Sequence, residues 1–93
     1  MMPALVTPGA PWDPAWTQAR TPAEAAELSA GGATVLVTLP SRLDAALAAA
    51  AVYFWHGARV FVTEYTDEVR QALEMTDSLA GNRPPALTRR GLA

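Results

Sequence analysis

Few residues in this chain have the chemistry to act on another molecule: a single histidine, His56, and a hydroxyl- and charge-bearing set comprising Ser41, Arg42, Thr63, Glu64, Tyr65 and Thr66. Hydroxyls, one cation and one carboxylate suit the binding of a small polar ligand, and Glu64 with Tyr65 offers an acid–base pair. A lone carboxylate without a nucleophile, a metal or a second titrating partner falls short of a catalytic centre, so no catalytic residue is assigned. One histidine builds neither a nucleophile triad nor a histidine metal cluster. The absence of cysteine removes thiolate nucleophiles and cysteine-ligated metals as well. No glycine motif for cradling phosphate is present, and neither a cofactor nor a metal is expected. The plainer role for Ser41 and Thr66 is to cap helices with their hydroxyls.

The surrounding sequence supplies the elements that would position these residues. Thr34 to Leu39 is an apolar, β-branched run between Gly32 and Pro40, which predicts a strand covered on both faces; Val60 to Thr63 predicts a second. Between them Arg42 to Trp55 is alanine-rich and apolar nearly all round, as expected of a helix with contacts on more than one side. Thr21-Pro22-Ala23-Glu24 reads as a helix start with a capping hydroxyl, proline at the first helical position and a glutamate three residues after the cap. Thr66-Asp67-Glu68 begins a third helix, with Val69, Leu73, Thr76 and Leu79 or Ala80 as its inner stripe and Arg70 set to pair with Glu74 outside. Two apolar strands joined by a helix lie parallel. The hydroxyls of Ser41 and Thr66 then fall beyond the strands' carboxyl ends, where ligands bind in such folds, and His56 falls at the opposite edge.

The expected organisation is a proline-rich arm over residues 1–20, an α/β domain over 21–81 and a basic tail over 82–93. The arm includes Ala4 to Thr7 as a loop or a short edge strand, and Trp12 and Trp16 pinned against the body. Half the residues are hydrophobic (51%) and 17% are charged, which excludes a disordered chain. Ninety-three residues hold one thin core. The net charge is −2, and three of the seven arginines, Arg83, Arg89 and Arg90, lie beyond Gly81 where no acid remains. The body is therefore acidic and unsuited to nucleic acid. The longest apolar run, Ala45 to Trp55, is too short to span a bilayer, so no membrane association is expected. No signal peptide is visible, and the lack of cysteine suits a reducing cytoplasm.

From Ala45 to Leu79 the sequence resembles the closing strand–helix units of dihydropteroate synthase, a barrel enzyme of the folate pathway. The residues that carry the resemblance are Ala45-Ala46-Leu47-Ala48-Ala49-Ala50-Ala51-Val52, then Gly57-Ala58-Arg59-Val60-Phe61, then Gln71-Ala72-Leu73. It implies a fragment of a TIM barrel. The family's last strand carries an Arg-x-His-Asp element that contacts a substrate phosphate, and the positions here read Val62, Thr63, Glu64 and Tyr65. A carboxylate where the family has a cation reverses the local field and repels a pyrophosphate. The family's Ser-Arg-Lys element has a partial echo in Ser41-Arg42.

The resemblance also implies pairing through helices near the carboxyl terminus, which gives Leu43, Leu47, Phe54, Trp55, Val69 and Leu73 as an expected interface. The sequence therefore leads to a non-catalytic interaction protein that associates with a second copy or a larger partner such as a dihydropteroate synthase-like chain. The alternative is a small-ligand binder or enzyme that uses the strand ends near Ser41 and Glu64.

Overall fold

A computed structural model describes residues 3–79 of the chain. In chain order the elements are β1 (Ala4–Val6), β2 (Trp16–Gln18), α1 (Pro22–Ala30), β3 (Thr34–Thr38), α2 (Leu43–Trp55), β4 (Val60–Val62) and α3 (Thr66–Leu79). The four strands form one parallel sheet in the order β1-β4-β3-β2. The fold is the expected α/β class, with β3 and β4 as direct neighbours across the α2 crossover.

The two central strands read as apolar runs because both faces are covered. Val35, Val37 and Phe61 face the helices and pack with Ala25 of α1, Ala46, Ala50 and Phe54 of α2, and Val69 and Leu73 of α3. The alternate residues Leu36, Val60 and Val62 form a second buried cluster on the other face, joined by Val6 and Trp16. Phe61, Leu36, Leu73, Val35 and Val69 are the largest fully buried side chains. Burial of each contributes about 1.5–3 kcal/mol before chain entropy is counted. The Phe54 and Phe61 rings meet at 6.5 Å with a 55° tilt, and the Arg59 guanidinium lies 4.8 Å above Phe54.

The segment read as an arm contributes both edges of the sheet. β1 pairs with β4, which agrees with the edge-strand alternative for Ala4 to Thr7; β2, at Trp16–Gln18, was not expected. Proline density masked these strands, since each is only three residues long and placed between prolines. Trp16 is half-buried against the second cluster, whereas Trp12 is exposed. β1 and β2 lie at opposite edges, so the connection through residues 7–15 spans the width of the sheet.

The helix starts divide into one success and two corrections. Thr21 caps α1 by accepting from the Glu24 amide at 3.0 Å, and the Glu24 carboxylate accepts from the Arg20 amide at 2.8 Å. Ser41 does not cap α2: the cap position is Arg42, with no side-chain bond, and Asp44 accepts from the adjacent Ala45 amide instead. Thr66 lies inside the first turn of α3. In α3 the inward stripe is Val69, Leu73 and Asp77, with Thr76 half-buried and Leu79 turned outward. Arg70 pairs with Asp67 at 3.5 Å. Ala80, the tail over 82–93 and its three arginines lie outside the described residues.

Candidate functional site

The carboxyl ends of the strands bring Gln18, Thr38, Thr63, Ser41 and Tyr65 to one edge, but their polar groups mostly engage one another. Thr63 is buried, and its hydroxyl accepts from the Tyr65 amide at 3.0 Å, which closes the turn into α3. The Tyr65 hydroxyl donates to the Ser41 carbonyl at 2.6 Å. The side-chain amide of Gln18 donates to the Thr38 hydroxyl at 3.3 Å, a pair hidden from sequence reading because Gln18 lay in the supposed arm. Arg42 is paired with Asp44 at 2.8 Å, with both side chains largely in solvent.

The local charge is acidic. Partial loss of solvent, followed by the carboxylates of Glu64 and Glu68, raises the Tyr65 hydroxyl above its ordinary range. A group that favours its neutral form in this way is a poor base at neutral pH. Among the described residues no cluster of three metal-ligating side chains exists. The edge therefore has the groups of a polar ligand site, with the hydroxyls of Thr63 and Tyr65 and the Gln18–Thr38 pair held by neighbouring residues.

The opposite end of the helices presents a different surface. Because α2 and α3 run back against the strands, their carboxyl ends lie at the far edge. Here a cleft of about 340 Å³ opens between them, lined by Ala51, Val52, Trp55, His56, Thr76 and Leu79. His56 Nδ1 donates to the Val52 carbonyl at 2.8 Å, and the Thr76 hydroxyl donates to the Ala72 carbonyl at 2.9 Å. The exposed large apolar side chains on these helices are Leu43, Val52, Trp55, Met75 and Leu79.

The residues expected at an interface differ in exposure. Phe54, Val69 and Leu73 are buried in the core, where they fix α2 and α3 to the sheet, and Leu47 packs against that core. Only Leu43 and Trp55 of the expected set are exposed. The signal that identifies Val52 was present: residues 45–58 carry no acid, lysine or arginine, so the solvent side of α2 is uncharged too. Met75 and Leu79 had been missed or turned inward in the sequence reading.

A parallel four-stranded sheet with three helices describes a barrel-fragment-like α/β unit. Over 62 residues the chain is 45% identical to a protein named inactive dihydropteroate synthase 2 from Mycobacterium tuberculosis and 44% identical to one of the same name from Mycobacterium leprae. The chain is thus dihydropteroate synthase-like over 67% of its length, and the match spans only 20–21% of the length of these curated relatives. No family model and no solved structure matches it. The degenerate character read at Val62 to Tyr65 accords with the word inactive in the relatives' name. Among the described residues, no helix is long and apolar enough to cross a membrane.

Proposed function

We propose that this chain is a non-catalytic, dihydropteroate synthase-like interaction protein that works through the outer surface of α2 and α3. The observation that carries this reading is the contrast between the two ends of the molecule. At the strand ends the Thr63 hydroxyl, the Tyr65 hydroxyl and the Gln18–Thr38 pair are already hydrogen-bonded, and Glu64 supplies negative charge. At the helix ends Val52, Trp55 and Leu79 stand in solvent around an apolar cleft, and Met75 is exposed on α3. Grouped apolar side chains of this size mark association surfaces more often than single scattered ones do. The partner is a second copy or a dihydropteroate synthase-like chain, the latter suggested by the likeness to the mycobacterial proteins.

Two measurements test the reading together. Pterins, nucleotides and phosphorylated metabolites should leave the melting temperature unchanged, because a ligand bound only by the folded state would raise it. A purified dihydropteroate synthase-like chain, or the protein itself at higher concentration, should raise it. A ligand-induced increase abolished by changing Ser41, Arg42 or Glu64 would transfer the function to the strand ends.

A further inference from the structure

We infer that the α2–α3 cleft is covered by the segment that follows it in the same chain, residues 80–93, so that partners compete with an occupant held in cis. The inference rests on the reading of this face as an association surface and adds its regulation. The described part of α3 ends at Leu79, and Leu79 itself lines the cleft together with Val52 and Trp55. The next residues therefore enter beside the recess. Pro84-Pro85 cannot continue a helix, and Gly81-Asn82 just before it suits a reversal of direction. Eight residues, from 80 to Leu87, reach about 26–29 Å when extended, and packed helices lie roughly 8–10 Å apart. Leu87 can thus return to any point of the cleft.

Charge selects this segment. All nine acids and four of the seven arginines lie within residues 3–79, a charge of −5, whereas Arg83, Arg89 and Arg90 give the segment +3 with no acid. The cleft floor is neutral, since residues 45–58 carry no acid, lysine or arginine. Beside it Glu74 is exposed on α3, which has no basic residue in its last turn. The carboxyl end of a helix favours a cation. Leu87 is followed two and three residues later by Arg89 and Arg90, so an apolar anchor and the complementary charge arrive together. His56 and Thr76 already hold backbone partners, so a leucine seated between them leaves those bonds in place.

Tethering makes a weak contact sufficient. A short link gives an effective concentration on the order of millimolar, and salt weakens the charged part of the contact. An outside partner binds only the molecules whose cleft is open, so its apparent affinity falls with that fraction.

The chain has no cysteine, so Thr88→Cys gives the full-length protein a single attachment point for a nitroxide label. Amide signals of residues 51–56 and 76–79 should broaden, those of Ser41 and Thr63 to Thr66 should not, and the pattern should be the same at low and high protein concentration. Added salt, and Leu87→Asp in the same chain, should reduce it. Absence of broadening at the cleft overturns the inference. Broadening that is equally strong when the nitroxide and the isotope label sit on different molecules overturns it too, because the contact then lies between copies. In a second measurement Leu87→Asp, checked for folding by circular dichroism, should bind a purified dihydropteroate synthase-like chain, or itself, at least ~3-fold more tightly than wild type. Equal or weaker binding overturns the regulation. Association at the cleft without broadening removes the covering segment and leaves the function proposed above; broadening with no association by either chain overturns that function and its regulation together.

Discussion

The Tyr65 hydroxyl donates a 2.6 Å hydrogen bond to the carbonyl of Ser41, tying the loop that enters α2 to the loop that enters α3. The contact straps neighbouring strand–helix units together. Loss of solvent and the nearby carboxylates of Glu64 and Glu68 raise the phenol above its ordinary value of 10.0. Folding thus favours the neutral ring: its contribution is complete below the unfolded value and fades as pH rises through the higher folded value. Tyr65→Phe should lower the urea midpoint at neutral pH, and the gap from wild type should narrow only in strongly alkaline solution. A gap that narrows between acid and neutral pH would contradict this assignment.

Gly57 ends α2 with φ of +104°, and a β-carbon placed there would collide with the Oγ and Cβ of Ser29 in α1. Gly57→Ala combines backbone strain with a steric clash and should cost about 2–4 kcal/mol. Ser29→Gly in the same chain should recover the steric part and leave the backbone part. Additive effects of the two changes, measured by chemical denaturation, would show that α1 and α2 do not approach so closely at this point.

Adjacent aromatic residues on α2 should behave in opposite ways. Phe54 is 6% exposed against Phe61 and beneath Arg59, whereas Trp55 is 66% exposed. Phe54→Ala should cost about 3–5 kcal/mol in unfolding. Trp55→Ala should stay within roughly 0.5 kcal/mol of wild type when measured at concentrations where the chain is monomeric. Equal destabilisation would mean that the two faces of α2 have been misassigned.

The start of α1 rests on Thr21, which accepts from the Glu24 amide. Thr21→Ala should cost about 1 kcal/mol, and Thr21→Ser should recover most of it. The denaturation midpoints of the two variants check the assignment.

The parts of the fold that could be read from sequence were those with strong local causes. β3 and β4 were visible because strands buried on both faces must be apolar throughout, and α1 because its threonine, proline and glutamate occupy characteristic positions. β2 was hidden because Trp16–Gln18 gains its structure from pairing with β3, a contact far along the chain. The caps at Ser41 and Thr66 were misread because a hydroxyl before a helix has several possible partners, and here the backbone carbonyl of Ser41 serves the Tyr65 ring instead. The outer side of α2 was hidden for a different reason. An all-apolar helix has no polar face to mark its outer side, so sequence spacing alone could not separate Phe54, turned to the sheet, from Trp55 and Val52, turned to solvent. Only the position of α3 shows where the cleft lies.

The most direct test of the two-ended account is residue-resolved: amide chemical shifts recorded as the protein concentration is raised, and again as pterins and inorganic phosphate are added. Rising concentration should move signals from residues 51–56 and 75–79 and leave Ser41 and Thr63 to Thr66 in place, while the small molecules move nothing. Shifts centred on Ser41, Glu64 and Tyr65 with a small molecule, and none at the helix ends with concentration, would contradict it.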